Sequence, residues 1–552
     1  MPGMLSFLLN RKMLGVLLNG RRRRLAMGMR DGDLFLSDLD KYSDRTAIIF
    51  GEKRFTYQEF KERINRLNNG LYDLGIKSGD HIAALLGNSN AFAEVIYGTG
   101  LAGITTTPIN WHLKGNEIEY IVNNSDSKAI IMDEEFLEKV MPVISEFEYV
   151  ENSIVVGDNV PEGMLSYEEL LAKSSADEIE DVEGSGGFML YTSGTTGRPK
   201  GAHTTVTENA SSLSASDAAD FVLMLDNFFY GFDFHKTTNI HLIAGPLYHA
   251  APLLFAGVTI GLGGTLVMMR KFDAKKALET IEREKISTAF MAPILLKRIL
   301  DVPDKEKFGV SSMKVIICAA APCPAEIKKE INDYFGPVFY EFYGSTDAGI
   351  NTILRPKHYL RDPEKYGSVG KVAPGNMIRI IGDDGKEAPV GEAGDLYLTN
   401  SMVRFLEYYK DPEKTKNSFF DIDNMRYFIE GEIASVDSDG FFYILDRKKD
   451  MIISGGVNVY PAEIEEVIHL HPSVLDVAII GVPDPDWGEA VKAFVVLKEG
   501  LDATDDEIIK FCDERLAGYK RPKYVDFISD IPRHPDGKLL KRELKEMYGV
   551  NN

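Results

Sequence analysis

The chain has 552 residues, 44% hydrophobic and 26% charged, with a formal net charge of −22. It is too long for one ordinary core, so two or more domains are expected, and its composition is that of a globular protein rather than a disordered or membrane-spanning one. Seven basic residues and no acid fall in residues 1–30, which leaves −29 on the rest; so acidic a body argues against broad nucleic-acid binding, yet admits a nucleotide where local positive groups act.

In chain order, residues 1–30 come first. Leu5, Leu8, Leu9, Met13 and Val16 share one helical face, Phe7, Leu14 and Leu18 lie elsewhere, and Arg21 to Arg24 form a basic run. No apolar stretch there is long enough to span a bilayer. Three readings stay open: peripheral contact with an anionic membrane surface, an organelle-targeting peptide, or a poorly ordered extension.

From Arg45 onward strand-like and helix-like segments alternate. Thr46–Phe50 and Arg54–Tyr57 predict a hairpin around Gly51-Glu52, followed by a helix to about Leu74. His81–Leu86, Lys128–Met132, Ser153–Val156, Thr265–Met269, Thr288–Met291, Lys314–Cys318 and Val338–Tyr343 read as strands. Helical patterns near Ala91–Ala102, at Ala274–Glu284 and ending at Leu300 alternate with them. This predicts layered α/β architecture with largely parallel sheets. After about Lys371 the pattern shifts to hairpins. Met377–Ile381, Asp383-Asp384-Gly385 and Asp395–Thr399 suggest one set, and Ile433–Val436, Ser438-Asp439-Gly440 and Phe441–Leu445 another. Beyond the charged cluster Asp446–Asp450 sit about a hundred residues with their own strands, Ala478–Gly481 and Ala490–Leu497, and their own helices. The expected division is an extension over 1–30, a large domain over 31–445 and a small C-terminal domain over 446–552.

The most informative segment is Tyr191-Thr-Ser-Gly-Thr-Thr-Gly-Arg-Pro-Lys-Gly201, which holds four Ser/Thr hydroxyls and three glycines. Glycine lets the backbone turn sharply and approach a ligand. Successive amides, hydroxyls and Lys200 can surround a polyanion such as nucleotide phosphates. Arg198 and Pro199 separate Gly197 from Lys200, so this is not the Gly-Lys-Ser/Thr loop of P-loop proteins. The other reading is an exposed flexible loop.

Cys318, Cys323 and Cys512 are odd in number and match neither a zinc site nor a redox pair, which points to packing residues in a reducing, cytoplasmic setting. No His-Glu-x-x-His pattern occurs, and His469 with His471 reads as a loop pair.

Five motifs occur in one order: Tyr191–Gly201, Ala319-Ala320-Ala321-Pro322, Tyr343-Gly344-Ser345-Thr346-Asp347, Asp446–Gly456 and Gly537-Lys538. Together they resemble the acyl-adenylate-forming synthetases, most closely the acyl-CoA synthetases acting on fatty or similar acids, from about Asp40 to Glu543. The resemblance implies a large layered N-terminal domain with a small β-barrel-like part and a small mobile α+β C-terminal domain. It implies a two-step ligase using ATP, magnesium and coenzyme A on a carboxylic acid, with no nucleic-acid partner. The alternatives are an acyl-adenylate former with a carrier-protein acceptor and, from another class, a binding or regulatory protein with a weakened site. No motif reveals the acid or the oligomeric state.

Residue by residue, the resemblance implies that Thr192, Ser193, Gly194, Thr195, Thr196, Gly197 and Lys200 hold the β- and γ-phosphates. Ala320, Ala321, Pro322 and Tyr343, followed by Gly344 and Ser345, flank adenine. Thr346 and Asp347 stand where the family has Thr-Glu, with the acid assisting magnesium. Glu430-Gly431-Glu432 replaces Thr-Gly-Asp, so Glu432 is expected on the ribose hydroxyls, and Arg447 is expected at the ribose and as a partner for Glu430. Asp446 matches the hinge, Lys538 the catalytic lysine, and Ser454-Gly455-Gly456-Val457 a channel for the pantetheine arm. His249, in Pro246–Pro252, reads either as a gate of the acyl pocket or as a buried structural histidine. The aromatics Phe221, Phe228, Phe229, Tyr230, Phe232 and Phe234 read as pocket wall or as plain packing.

Overall fold

The computed structural model describes residues 36, 39–180, 182, 186–192, 199–204, 231–234, 239–533 and 539–548. Ser193–Gly197, Lys538, residues 1–30 and Phe221, Phe228, Phe229 and Tyr230 lie outside the described residues.

Two sheets dominate the large N-terminal part. In the first, Thr46–Phe50, Thr265–Met268, Ile240–Ile243, Thr288–Phe290, Val315–Cys318 and Phe339–Ser345 run parallel. Antiparallel strands close both edges: Lys53–Thr56 on one side, Gly349–Leu354 and Lys371–Val372 on the other. The second sheet is parallel throughout, in the order Thr105–Pro108, His81–Leu85, Ser127–Asp133, Asn152–Val156, Leu165–Ser166. Their central strands are almost wholly apolar and buried, as expected of parallel strands covered on both faces.

The helix Tyr57–Asp73 shows how locally these elements are specified. Thr56 accepts from the Glu59 amide while the Glu59 carboxylate accepts from the Thr56 amide, a reciprocal capping box. Phe60, Ile64, Leu67 and Leu71 recur at three- and four-residue spacing and are fully buried. They pack with Ala91–Tyr97 and with Leu253–Ile260 into one core that joins the two sheets.

A five-stranded antiparallel sheet follows: Met377–Ile381, Gly394–Thr399, Met425–Val436 and Phe419–Ile422, with Phe442–Arg447 also on Met425–Val436. The turn Asp383–Gly385 does not join its two flanking strands directly, as the sequence suggests. It closes on a small bridge between Ile381 and Glu387, and residues 388–393 complete the link. Past Arg447 the chain builds a separate sheet from Val457–Val459, Ile452–Ser454, Gly488–Leu497, Val474–Asp484 and Tyr524–Phe527, with its own cores.

Cys318 and Cys323 are buried in the core behind the first sheet, and Cys512 in the C-terminal one. The histidine pair is corrected: His469 is the last residue of the helix Pro461–His469, with Nε2 3.8 Å from Asp476, and burial lowers its pKa. His471 stands edge-on to Phe511. Among the described residues no helix is long and apolar enough to cross a membrane.

Candidate active site

Parallel strands aim their carboxyl ends at one side of a sheet, where ligands of α/β proteins are held. Two of the motifs, Ala319–Pro322 and Tyr343–Asp347, stand on such ends, and a third stands on a separate antiparallel sheet.

Leu190–Thr192 and Lys200–Thr204 are antiparallel partners, with Thr192 opposite Lys200. Leu406–Tyr408 pairs with the other side of Lys200–Thr204. Lys200 forms an ion pair with Asp411, which raises the lysine pKa and lowers that of the acid. Asp411 also caps the helix Pro412–Asn417, accepting from the Lys414 amide at 2.9 Å. The sequence signals the cap through Asp-Pro, but not the ion pair across 211 positions.

Val315–Cys318 ends at Ala319–Pro322, and Ala320 adopts φ = 79°, a region costly for a residue with a Cβ. Phe339–Ser345 carries the next motif. A Cβ on Gly344 would stand 1.9 Å from the Gly349 carbonyl oxygen, so this hairpin admits only glycine there. The turn that follows holds Thr346 and Asp347 and is tied by the Ala348 amide donating to Ser345 Oγ at 3.1 Å. Asp347 meets the Tyr408 hydroxyl; burial and then the aspartate's charge push that phenol's pKa up. Tyr408 thereby connects the strand beside Lys200 to the Asp347 turn, a link that sequence reasoning missed.

Tyr343 Oη donates towards Glu430 Oε2 at 3.4 Å and Glu432 Oε2 at 3.2 Å. Burial, then the charges of these two acids, raises the Tyr343 pKa. The two glutamates are i and i+2 on one strand and share a face. Glu432 is 5% exposed, not on an open turn. Arg447 lies opposite it in the register, Nε 3.6 Å from Glu432 Oε1. The expected Arg447–Glu430 pairing is thus corrected: a ladder irregularity after Ile433 brings Arg447 against Glu432.

Asp446 accepts from the Arg447 amide at 2.7 Å and from the Ala462 amide at 3.0 Å, so it caps the helix Pro461–His469 from outside. Burial raises its pKa, against the opposing charge of Lys541. Gly455 and Gly456 have φ of 59° and 79°, the pair of positive values that a two-residue hairpin requires. The Gly455 amide donates to the Trp487 carbonyl at 2.8 Å.

His249 precedes the helix Ala250–Gly261, with its ring centroid 4.4 Å from that of Tyr248. Phe232 and Phe234 are fully buried against Phe255, which settles them as core packing. The structure thus gathers Thr192, Lys200, Asp347 and Tyr408 into one connected group, and Tyr343, Glu432 and Arg447, from two different sheets, into another. Gly455 and Gly456 stand on the C-terminal sheet. Asp347 supplies a hard oxygen donor of the kind magnesium takes, so this turn fits a magnesium nucleotide.

The fold that holds the Tyr343 ring, the Glu432–Arg447 pair and Lys200 is that of the adenylate-forming enzymes. The chain belongs to the AMP-binding enzyme family: residues 35–409 match the AMP-binding enzyme domain and residues 463–538 the AMP-binding enzyme C-terminal domain. It is 33% identical over 511 residues to a feruloyl-CoA synthase of an Amycolatopsis species, covering 91% of this chain and 96% of that one. It is 35% identical over 501 residues to the long-chain-fatty-acid–CoA ligase FadD13 of Mycobacterium tuberculosis, covering 90% and 94%. The crystal structure of ATP-bound MatB from Rhodopseudomonas palustris superposes with a TM-score of 0.78 at 30% identity, over 94% of this chain and 99% of that one. By family, the protein is an AMP-forming acyl-CoA ligase.

Proposed function

We propose that this enzyme activates a fatty or other bulky apolar carboxylic acid with ATP and passes the acyl group to coenzyme A. A carboxylate oxygen attacks the α-phosphorus, the bond to the β-phosphate oxygen breaks, and pyrophosphate leaves. The thiol sulfur then attacks the acyl carbon, the bond to AMP oxygen breaks, and the thiol proton passes to solvent. Free carboxylate is a poor acyl donor because oxide leaves badly; AMP leaves well.

The observation that carries this reading is the gathering of Tyr343, Glu432 and Arg447 beside the Asp347 turn. In it, Tyr343 and Ala320–Pro322 face adenine and Glu432 accepts from the ribose hydroxyls. Arg447 offsets the charge of Glu432 and contacts the ribose. Thr192 to Gly197 and Lys200 hold the outer phosphates. Asp347 and Thr346 would hold magnesium, which would supply neutralisation of phosphate charge. Lys538 stabilises charge at the α-phosphorus. The chain divides at Asp446, whose pivot brings either Lys538 or the Gly455-Gly456 turn to the site. His249 faces the acid.

Incubation with ATP, magnesium, free coenzyme A and acids of short, medium, long, aromatic and polycyclic structure tests this. The expected product is a thioester from apolar acids. Acyl transfer to a phosphopantetheinyl carrier protein, with none to free coenzyme A, would overturn the choice of acceptor.

A further inference from the structure

One buried asparagine outside every motif ties three strand ends together. Asn88 follows the strand His81–Leu85 and is 5% exposed. Its Nδ2 donates to the Gly245 carbonyl at 2.9 Å and to the Met269 carbonyl at 3.1 Å, and its Oδ1 accepts from the Leu247 amide at 2.9 Å. Gly245 and Leu247 follow Ile240–Ile243, and Met269 follows Thr265–Met268, so the side chain joins the carboxyl ends of strands from both parallel sheets. Both amide hydrogens and the oxygen are used, and only one orientation of the amide satisfies two carbonyls and one N–H.

The turn bearing Asn88 is itself held. The Gly87 amide donates to Asp133 Oδ2 at 2.6 Å, Arg270 Nη2 reaches the same oxygen at 2.8 Å, and a Cβ on Gly87 would meet the Arg270 guanidinium at 2.7 Å. On the other side, Asn88 controls the strap Gly245–His249. That strap buries Leu247 in the core, sets Tyr248 edge-on to Trp111 at 6.0 Å and sets His249, half-buried, at the start of the helix Ala250–Gly261.

We propose that Asn88 is a positioning residue for the acid: it fixes the strap, and through it the His249 and Tyr248 rings, against the second sheet. The inference rests on the proposed reading that His249 faces the acid. Aspartate at this position keeps the shape and the Leu247 acceptor, but turns oxygen lone pairs towards two carbonyl oxygens, so it is disruptive despite being isosteric. A strap displaced by a fraction of an ångström misplaces the acid and leaves the nucleotide alone, because the nucleotide residues stand on other strands.

The test measures KM for acid and for ATP separately, by pyrophosphate release from the full-length enzyme, in Asn88→Asp and the milder Asn88→Ser. Asn68→Ala is the control: Asn68 is equally buried in the same lobe, donates to the Gly98 carbonyl at 3.0 Å and touches no part of the strap. Wild-type turnover is the reference, so a failure of the proposed reaction is visible before any variant is compared. The expected result is a rise of about 10-fold in KM for acid with KM for ATP within about 2-fold, and a flattened preference across the acid panel. Asn68→Ala lowers Tm without moving KM for acid. Equal movement of both constants, an Asn88 profile matching the Asn68 control, or a His249→Ala variant with unchanged KM for acid would overturn the proposal.

Discussion

Replacing Lys328 with methionine removes half of an ion pair that is 2% and 3% exposed, with Nζ 2.5 Å from Glu341 Oε2. Lys328 Nζ also donates to the Tyr366 carbonyl at 2.8 Å and the Ser368 carbonyl at 3.2 Å, so the ammonium serves two carbonyls besides the ion pair. Burial disfavours the ammonium, but the charge and hydrogen bonding of Glu341, together with the nearby Cys323 and Cys318, outweigh it and the Lys328 pKa rises. Burial raises that of Glu341 despite the lysine. The pair as a whole is not expected to add much over apolar packing, since desolvation offsets most of its attraction. Breaking it is another matter. An uncompensated carboxylate costs about 3–5 kcal/mol, and two carbonyls left without donors add to that. Urea unfolding followed by Trp111, which packs against Phe136 and Tyr248, reports the large domain. The expected loss is about 4 kcal/mol at neutral pH for Lys328→Met, most of it recovered in Lys328→Met/Glu341→Leu. In the single variant the buried acid has a raised folded pKa, so its penalty is full at neutral pH and fades as pH falls and the carboxyl takes up a proton. A loss below about 1 kcal/mol, or a double variant no better than the single one, would refute the reasoning. Glu341 lies two residues before Tyr343, so the same variant is expected to weaken ATP binding.

Burial holds His241 down to about 3 from 6.5, so the unfolded chain binds a proton that the folded one refuses; stability is full above pH 6.5 and falls towards pH 3 by about 1.4 kcal/mol per unit. His241→Gln should make the acid limb of unfolding shallower, and an unchanged slope contradicts the assignment. Ala320→Gly relieves about 1–2 kcal/mol of left-handed strain and gives back about half in chain entropy, so a small gain in Tm is expected, and a loss argues that the methyl is needed. Asp347→Glu restores the longer arm common in this family and should retain activity with an altered magnesium half-saturation; complete inactivity would show that the contact with Tyr408 leaves no room for it. Lys538→Ala should impair adenylation by about 10²-fold or more while sparing thioester formation from supplied acyl-AMP, and equal loss in both assays removes it from the first step.

Local signals made much of the fold legible. The helical pattern running to about Leu74 is the helix Tyr57–Asp73, and the pattern at Ala274–Glu284 is a helix with those bounds. Continuous apolar runs such as Val315–Cys318 announced buried parallel strands. The order of strands within each sheet was not legible, because pairing such as Thr46–Phe50 with Thr265–Met268 is chosen by packing across more than 200 residues. The same holds within the site. The family resemblance singled out Tyr343, Glu432 and Arg447, but it could not show that a ladder irregularity sets Arg447 opposite Glu432. Lys200 with Asp411 and Tyr408 with Asp347 join segments whose local sequences do not refer to one another. The φ of Ala320 was hidden for another reason: alanine rarely adopts it, so nothing in the residue type points to it.

Isotope exchange between pyrophosphate and ATP isolates the activation of a carboxyl group from everything that follows. With magnesium and no coenzyme A, label is expected to enter ATP only when a suitable acid is added, at a rate set by that acid. Exchange without any acid, or none with acids across the full panel, would contradict the account.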